Sequence, residues 1–567
     1  MKIIQKYLCL LALTLLLVCA VVYSTPEAAE PLPSFAVQSP ESSRTQTISI
    51  FDAGDGNHYV FLPAYAEPEQ VTVSLPQTYT FALEEIPLAD GMDCSVFELE
   101  KPYALIRNHE KIGALWFFRS ANVATMYIDT LSGNMKYLHQ DKANKETASV
   151  MVYTADGAIH CSDERCTLTG RGNASWEYDK RPYTLTLSAD TGLLGMAPAA
   201  KWVLLANAGD ETNLNNKLIF SLASRVGLPW TPDSRWVDLY LNGEYSGLYL
   251  LTEKVEVHEN RVDINTDAGD FLCRVDIASR WPTLNNPFRS ASNRTVEISA
   301  PKYLSVRTPD QITELVNRME AEFSSGTDLS RSSLVDLDSW VRRYLIDEIS
   351  ANIDSDLASS YFYYSNGKFS AGPVWDYDMA LGNSPRNHDP CAFVAKNYRK
   401  SRSNTSKYYG ALYSNETFHA RMLELYRTEF VPELKVLLES EFDLLTDFIR
   451  DASRSNSLRW RSMYDNLPAD VVHTPEALKD YFSRRVQFLD EVWLQEIPYC
   501  TLQFETSYRG SSYVNISVQQ GCSLESSYIN TESVVWIDSE TGEVFDFSQP
   551  ITKDMILWKQ STENNGS

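Results

Sequence analysis

A predicted β-hairpin between two acidic loops is the feature that most constrains how this chain can fold. Tyr361-Phe-Tyr-Tyr364 has the composition of a strand, and Ser365-Asn-Gly-Lys368 contains the Asn-Gly pair that is typical of a tight turn. Asp354 lies in the loop before the hairpin, and Asp376 lies in the segment GPVWDYDMALGN after it. Because a hairpin returns the chain to the end where it started, we expect these two carboxylates at the same end of the ribbon.

Such a pair of carboxylates has a chemical use, but the residues alone leave a second interpretation open. One carboxylate can orient an attacking hydroxyl and accept its proton, while the other holds Mg²⁺ between nucleotide phosphates. Protein kinases use the same order of loop aspartate followed by metal-binding aspartate. The alternative is that Asp354 and Asp356 cap turns and that Asp376 and Asp378 are surface charges.

The flanking sequence predicts an α+β fold. Residues 47–105 contain short alternating runs broken by Pro, Gly and Asp, and Arg235–Thr252 reads as two strands joined by Asn-Gly. Thr308-Pro-Asp-Gln311 has the pattern of a helix capping box with proline at the first helical position. Further helices are predicted from Asp338 and across most of residues 417–494, and short strands return after Pro498.

Composition excludes some classes of function. The net charge is -25 and the pI is near 4.8, which argues against nonspecific binding to nucleic acid or to anionic membranes. The charge is compatible with metal ions or with a basic substrate. The eight histidines show no metal-ligand spacing. No Ser-His-Asp or Cys-His motif has a recognisable context, so hydrolase chemistry has no positive support.

The N-terminus predicts export. Lys2 and Lys6 precede the apolar run Tyr7–Tyr23 and a polar exit, which is the pattern of a secretory signal peptide spanning residues 1–24. The apolar run also leaves an uncleaved anchor open, so the expected location is secreted or at the cell surface. Among the seven later cysteines, Cys161 with Cys166 and Cys500 with Cys522 are conceivable local disulfides.

Many ordered blocks of the sequence resemble the CotH family, the kinases related to spore coat protein H. The resemblance covers residues 145 to 495 and includes GRGNASW (170–176), KRPYTLTL (180–187), GMAPAAKWVLLANAGDETNLNNKLIFSLASRVGL (195–228), VDLYLNGEYSGLYLLTEKVEV (237–257), NIDSDLASSYFYY (352–364) and GPVWDYDMALGN (372–383). It implies an atypical protein-kinase-like bilobal core that uses ATP with Mg²⁺ or Mn²⁺. It also implies phosphate transfer to protein hydroxyls.

The resemblance assigns roles to individual residues. Asp354 corresponds to the catalytic aspartate, and Asp376 corresponds to the metal-binding aspartate. Asp378 is a further carboxylate that would support that metal or hold a second one. The turn that contains Gly170 and Gly172 would cover the phosphates through its backbone N–H groups.

The sequence departs from the family pattern at two places. Ser359-Ser360 stands where many members have Asn, which weakens the second metal site. Tyr183-Thr-Leu-Thr186 stands where many members read YRIK, so the phosphate-binding lysine is missing there. Lys180 or Lys201 could take its place, since a long ammonium side chain reaches phosphate from a neighbouring strand. Glu253 is then the candidate partner for that lysine.

The C-terminal tail carries a second resemblance. Residues 516–560 are similar to one copy of the Listeria–Bacteroides (internalin B-type) repeat, a small β module of bacterial surface proteins. The similarity rests on the Trp-x-Asp-x-x-Thr-Gly block and on FDFSQPIT. The expected organisation is a signal peptide (1–24), a linker (25–45), a β-rich domain (46–144), a CotH kinase-like domain (145–497) and a β module (498–567).

Together these features predict an exported atypical kinase that transfers the ATP γ-phosphate to Ser or Thr of secreted or surface proteins. Association with the cell envelope would come from the N-terminal segment or from the C-terminal module. One alternative is a noncatalytic surface or adhesion protein that keeps the fold, motivated by the missing lysine and asparagine. Another is a metal-dependent glycosyltransferase that uses Asp354-Ser-Asp356 as a DxD motif.

Overall fold

The computed structural model describes residues 31–41, 44–384, 386–395, 408–469, 471–505, 513–524 and 534–560. The predicted signal peptide lies outside the described residues. The chain forms two compact units. The first contains residues 45–60 and 67–117 together with the segment up to Val37, and the second contains residues 38–44, 61–66 and everything from Phe118 onward.

The first unit is built from nine short strands in two sheets. The strands are β1 (Ser34–Gln38), β2 (Thr45–Ser49), β3 (Phe51–Asp52), β4 (Asn57–Leu62), β5 (Val71–Ser74), β6 (Phe81–Leu83), β7 (Ile86–Pro87), β8 (Tyr103–Arg107) and β9 (Glu110–Arg119). One sheet has the order β2-β1-β5 and the other has the order β3-β4-β9-β8-β6-β7. In the core of this unit, the rings of Phe35 and Phe97 pack on the ring of Phe117. These strands fit the predicted β-rich N-terminal region.

The predicted linker, residues 25–45, contains a strand. Ser34–Gln38 pairs antiparallel with Val71–Ser74, and Phe35 and Val37 are fully buried. The alternation of buried and partly exposed residues in Ser-Phe-Ala-Val-Gln is the period of a half-buried strand. The proline- and serine-rich flanks predict a linker, whereas the short alternation of apolar residues in Ser34–Gln38 forms a strand.

The second unit contains a closed seven-stranded barrel that begins after Phe118. Its strands are β10 (Ala124–Thr130), β11 (Lys145–Tyr153), β12 (Ile159–Gly170), β13 (Tyr183–Thr191), β14 (Ala199–Leu205), β15 (Ser234–Leu241) and β16 (Glu244–Glu253), in the order β10-β11-β12-β13-β14-β16-β15. Two helices accompany them, α1 (Lys136–Gln140) and α2 (Asn215–Arg225). The predicted Asn-Gly hairpin is confirmed: β15 and β16 pair antiparallel, and Asn242 and Gly243 both have positive φ.

The barrel begins earlier than the expected domain boundary at residues 144 and 145. Its first strand, β10, pairs in parallel with β15, Ala124 lying opposite Val237. The division between the two compact units falls between Phe117 and Phe118. The region before residue 145 therefore supplies one strand of the barrel, a long-range pairing that local sequence signals do not reveal.

A five-stranded sheet and a helical layer follow the barrel. The strands β17 (Phe271–Asp276), β18 (Pro287–Arg289), β19 (Thr295–Ala300), β20 (Ser360–Ser365) and β21 (Lys368–Ala371) have the order β18-β19-β17-β20-β21. The helices are α3 (Pro309–Ser324), α4 (Leu337–Ile349), α5 (Tyr408–Tyr413), α6 (Glu416–Leu425), α7 (Val431–Val436), α8 (Phe442–Arg459), α9 (Arg461–Tyr464) and α10 (Pro475–Trp493), with π-helical turns at Tyr426–Phe430 and Leu437–Glu441. The predicted capping box of α3 is present, and α4 begins within one residue of its predicted start.

The C-terminal module is a four-stranded sheet with its own core. The strands β22 (Tyr499–Glu505), β23 (Tyr513–Gln519), β24 (Trp536–Asp538) and β25 (Met555–Lys559) have the order β23-β22-β25-β24. Leu502, Phe504 and Leu557 are fully buried in it. With this module the α+β prediction is confirmed.

A further hypothesis concerns the cysteines. The seven cysteines from Cys94 to Cys522 are all free thiols, so neither of the two conceivable disulfides is present. Among the helices that the structure describes, none has the length and apolar character needed to cross a membrane.

Candidate active site

The first acidic loop begins where α4 ends. The backbone turns at Ala351, which has a positive φ of 50°, and the side chain of Asn352 accepts a hydrogen bond from the backbone N–H of Asp354 at 3.0 Å. The carbonyl of Asp354 in turn accepts from Leu357 N and Ala358 N. The loop is therefore a closed turn that fixes the backbone on both sides of Asp354.

The second acidic loop follows the hairpin of β20 and β21. The predicted turn is confirmed, because Asn366 and Gly367 have φ of 52° and 84° and Tyr364 pairs with Phe369. Past β21, Asp376 adopts a φ of 71°, and its Oδ2 accepts a hydrogen bond from the hydroxyl of Ser359 at 2.7 Å. The hairpin thus delivers the two acidic loops to one end of the ribbon, as the sequence predicted.

Asp376 and Ser359 are both held in an unusual backbone conformation. Ser359 has a φ of 51°, so two non-glycine residues that are hydrogen-bonded to each other both occupy the left-handed region. Each such residue costs roughly 1–3 kcal/mol, and this strain persists only where the surroundings fix it. Strained residues cluster at functional sites, which marks this pair as a candidate for one.

The carboxylates near the hairpin end interact strongly with one another. Burial, and then the charge of Asp376, raise the pKa of Asp354 to about 6. Burial, followed by the charges of Asp376, Asp354 and Asp210, raises the pKa of Asp378 to about 8. Like charges in a poorly solvated site disfavour ionisation, and a bound divalent cation would offset that repulsion.

The donor set fits a hydrated metal ion that also binds phosphate. In the part of the chain that the structure describes, no three His, Cys, Asp or Glu side chains are grouped to hold a metal by themselves. Mg²⁺ is usually bound by one or two carboxylates, with waters and substrate phosphates completing its shell. Asp376 and Asp378 are hard oxygen donors of that kind, so they could hold such an ion together with a nucleotide.

Asp378 is positioned through its backbone. Its carbonyl accepts hydrogen bonds from the side-chain amides of Asn383 at 2.6 Å and Asn215 at 3.4 Å, and Asn215 also binds the carbonyl of Ala380. Asn215 is the first residue of α2, so the barrel side of the unit holds the second acidic loop in place.

Arg171 lies close enough to the acidic pair for the charges of Asp376 and Asp378 to act on its pKa, and it is not among the predicted site residues. Its guanidinium lies 5.1 Å from the ring centre of Trp375. Burial lowers the pKa of Arg171, and the charges of Asp376, Tyr361 and Asp378 counteract this. It forms no ion pair with any residue that the structure describes. The signal was available, since Arg171 is the basic residue inside the Gly-Arg-Gly-Asn turn.

The two predicted glycines have structural reasons to be glycine. A Cβ on Gly170 would collide with the ring of Trp176 and would lie 2.9 Å from the Cα of Lys142. Gly172 has a φ of 88°, which favours glycine, and its carbonyl accepts from Lys142 Nζ at 2.9 Å. The N–H of Arg171 between them donates to Pro182, so that group is not free to bind phosphate.

Lys180, predicted to bind phosphate, lies elsewhere. It is fully buried, donates to the carbonyl of Leu248 at 2.7 Å and stacks over the ring of Tyr249. Burial lowers its pKa well below the usual range, and the nearest opposing charges are those of Asp210 and Asp238. A fully buried ammonium already bound to a strand carbonyl is not available to a nucleotide. The prediction that Lys180 binds phosphate is therefore wrong.

The predicted pairing of a lysine with Glu253 is also wrong. Glu253 forms a buried ion pair with Arg261 at 2.8 Å and accepts from the backbone of Asp233. Lys201 is exposed and pairs with Glu256 at 2.8 Å. The register places Trp202, not Lys201, opposite Glu253 on β14 and β16, which explains why the two side chains do not meet.

Lys254 is a further cation in this region that was not among the predicted phosphate-binding residues. Its ammonium lies 3.3 Å from Glu256, and burial lowers its pKa while the charges of Lys201 and Arg171 add to that effect. Lys254 therefore lies within electrostatic reach of Arg171 at the end of β16. Lys254 is bound to the same Glu256 as Lys201, which leaves Arg171 as the cation whose pKa responds to Asp376 and Asp378.

Asp356, the second aspartate of the DxD pattern, is fully engaged in structural contacts. It forms an ion pair with Arg294, and its Oδ2 accepts from the backbone N–H groups of Tyr408 and Tyr409 at the start of α5. Asp356 is also buried. Its carboxylate therefore anchors a helix and does not join Asp354 in a metal site of the glycosyltransferase kind.

Comparison with known proteins agrees with this architecture. A family model described as CotH kinase protein matches residues 168–489, which is more than half of the chain and includes both acidic loops. The match ends before the C-terminal module, so the internalin B-type repeat remains a prediction. A search of curated proteins finds no match. The chain therefore belongs to the CotH kinase family.

Proposed function

We propose that this protein is an exported atypical protein kinase that transfers the γ-phosphate of ATP to Ser or Thr hydroxyls of secreted or surface proteins, with Mg²⁺ or Mn²⁺. The observation that supports it most is the pair of acidic loops at one hairpin end, with Asp376 tied to Ser359 beside Asp354. Family membership supports a kinase with a protein substrate. The protein substrate and the export rest on the sequence features alone.

Each residue of the site has a role in this reaction. Asp354 orients the acceptor hydroxyl and takes its proton as the oxygen bonds to the γ-phosphorus and the bond to the bridging oxygen of ADP breaks. Asp376, with Asp378, holds the divalent ion, which would neutralise phosphate charge when bound. Arg171, whose guanidinium lies 5.1 Å from the ring centre of Trp375 and whose pKa responds to the charges of Asp376 and Asp378, supplies the phosphate contact predicted for a lysine.

The noncatalytic adhesion protein is the rival proposal, and one observation favours it. Lys180 and Lys201 are both engaged elsewhere and Lys254 is bound to Glu256, so the site relies on Arg171 for positive charge. A family member that had lost nucleotide chemistry would keep the fold and its C-terminal module for surface binding. The glycosyltransferase has less support, because Asp356 is occupied by Arg294 and by α5.

Label transfer separates the three proposals. The purified protein is incubated with γ-labelled ATP, Mn²⁺ or Mg²⁺ and a generic protein acceptor, in parallel with UDP-sugars. We expect labelled acceptor, and we expect Asp376→Ala to abolish it while Asp263→Ala, an exposed aspartate, does not. A chain that neither transfers label nor gains thermal stability with nucleotide would support the adhesion protein. Stabilisation by UDP-sugars alone would support the transferase.

A further inference from the structure

One buried carboxylate outside the acidic loops, that of Asp347 on α4, contacts both of them. Asp347 is fully buried. Its Oδ1 accepts from Asn352 Nδ2 at 3.2 Å and from the hydroxyl of Tyr377 at 2.6 Å. Its Oδ2 accepts from Arg343 Nε at 3.0 Å and from the hydroxyl of Tyr409 at 2.8 Å. Both oxygens are therefore saturated by donors from four places in the chain.

Two of the four donors lead directly to the proposed reacting groups. Asn352 uses its other side-chain atom, Oδ1, to hold the N–H of Asp354 at 3.0 Å. Tyr377 lies between Asp376 and Asp378 in the chain, and its own N–H donates to Asn216 on α2 at 2.8 Å. A displacement of the Asp347 carboxylate would therefore move the catalytic loop and the metal loop together.

The other two donors, Arg343 and Tyr409, come from outside the two acidic loops, so both loop bonds to Asp347 remain when the Tyr409 hydroxyl is removed. Arg343 neutralises the charge of Asp347, and the Nη1 of Arg343 also donates to the carbonyl of Pro373 at 2.8 Å, at the start of the metal loop. Tyr409 belongs to α5. A carboxylate accepts on both oxygens, whereas an amide offers one acceptor oxygen and would turn its NH₂ towards two of the donors. The site therefore requires an acid at position 347.

We propose that Asp347 is a positioning residue that couples Asp354 to Asp376 and Asp378, so that the two acidic loops keep one relative geometry. This inference rests on the proposed kinase function. Asp347 is not a catalytic residue, because it acts through Asn352 and Tyr377. Its contribution lies in holding the reacting carboxylates to within the small tolerance that phosphoryl transfer needs.

A matched pair of variants separates positioning from general stability. Tyr377→Phe and Tyr409→Phe each delete one buried hydroxyl that donates to Asp347. Tyr377 lies in the metal loop, whereas Tyr409 lies in α5. The two changes remove the same chemical group from the same acceptor residue, so a difference between them reports on what each tyrosine holds.

Hydrogen exchange followed by mass spectrometry on the full chain is the first measurement. We expect Tyr377→Phe to speed exchange in peptides covering both 350–360 and 374–383, and Tyr409→Phe to speed exchange in the α5 peptide only. This readout needs neither ATP nor activity, so it decides the inference even if the chain transfers no phosphate. The coupling would be overturned if the two variants showed equal increases in exchange rate. It would also be overturned if the faster exchange in Tyr377→Phe were confined to residues 374–383.

Steady-state kinetics is the second measurement and applies where the wild type transfers phosphate. We expect Tyr377→Phe to lower kcat by about tenfold or more with KM for ATP within about twofold, because orientation is lost while nucleotide contacts remain. Tyr409→Phe should keep kcat within about twofold at a temperature where both variants are folded. A similar kcat loss in both would contradict the positioning role. A wild type without transfer would count against the proposed function alone.

Discussion

Arg171 is the residue for which the structure changes the sequence reading most. The glycines of the Gly-Arg-Gly-Asn turn were the predicted phosphate-binding groups, whereas the guanidinium lies over Trp375, and its pKa, lowered by burial, responds to the charges of Asp376 and Asp378. A planar guanidinium that forms no ion pair within the described residues is well suited to receive a phosphate. We therefore propose Arg171, in place of a lysine, as the phosphate-binding residue.

Replacing Arg171 with alanine tests that shift. We expect the Kd for Mn²⁺-ATP to rise by roughly 10- to 100-fold, because a charge-assisted contact contributes about 1.5–3 kcal/mol. Lys201→Ala is the matched control, since Lys201 is exposed and bound to Glu256. Isothermal titration measures both. Equal effects of the two variants, or an unchanged Kd in Arg171→Ala, would return the role to a lysine.

Asp238 predicts how stability depends on pH. It is fully buried, and burial raises its pKa from 3.8 to about 6, against hydrogen bonds from Ser120 and Tyr245 and the charge of Lys180. The folded state holds this proton more tightly than the unfolded chain does. The contribution of Asp238 to stability is therefore complete below about pH 4 and is lost as the pH rises through about 6.

Asp238→Asn removes that titration. We expect the difference in Tm between the variant and the wild type to shift in favour of the variant as the pH rises from about 4 to about 6, and to stay constant above that. Thermal denaturation over a pH series measures it, with the exposed Asp263→Asn as control. A difference that does not change with pH would show that Asp238 titrates normally in the folded protein.

At the scale of elements, local signals predicted structure well. The Asn-Gly pairs at 242–243 and 366–367 are both turns with positive φ, and the Thr-Pro-Asp-Gln pattern is the N-terminus of α3. These signals act through adjacent residues, so no tertiary knowledge is needed to read them. The same holds for the start of α4 and for the return of Asp376 towards Asp354.

Pairings across the barrel could not be predicted in the same way. Whether Glu253 meets Lys201 or Arg261 depends on the register of β14 with β16 and on the chain after β16. The burial of Lys180 depends on its packing against Leu248 and Tyr249. Spacing along the sequence contains neither piece of information, so the predicted phosphate-binding roles of Lys180 and Lys201 were wrong. The hairpin is a local signal, so the approach of the two acidic loops was predicted correctly.

The capping box of α3 gives a prediction for a single element. Thr308 caps the helix by accepting from Gln311 N, whereas Thr313 is a partly exposed residue inside the same helix whose hydroxyl donates to the carbonyl of Pro309. We expect Thr308→Ala to lower the free energy of unfolding by about 1 kcal/mol. Thr313→Ala should leave stability unchanged or slightly higher, because alanine favours helix. Chemical denaturation distinguishes them, and equal losses would mean that the cap contributes nothing.

At the scale of the whole molecule, the C-terminal module reaches the site. Tyr513 at the start of β23 is close enough to Asp354 and Arg386 for both charges to act on its pKa, after the larger effect of burial. On the same strand, Asn515 donates to the carbonyl of Phe393 at 3.4 Å. The module therefore contacts the segment that contains Phe393 and lies near Asp354.

Tyr513→Ala tests this proximity. We expect KM for a protein acceptor to change several-fold while the Kd for ATP stays within about twofold, because the side chain borders Asp354 and not the phosphate contacts. Tyr499→Phe is the control, since its hydroxyl binds Glu491 at 2.8 Å. If neither parameter changes, or if the two variants behave alike, the module contributes only stability.

The most direct test of the whole account compares Asp354→Asn with Asp376→Asn in single-turnover transfer of the γ-phosphate from ATP. We expect both variants to lose transfer by at least about 10²-fold. Asp354→Asn should keep the thermal stabilisation by Mn²⁺-ATP, whereas Asp376→Asn should lose its metal-dependent part. A wild type that transfers no phosphate, or an Asp376→Asn variant that still transfers it, would contradict the account.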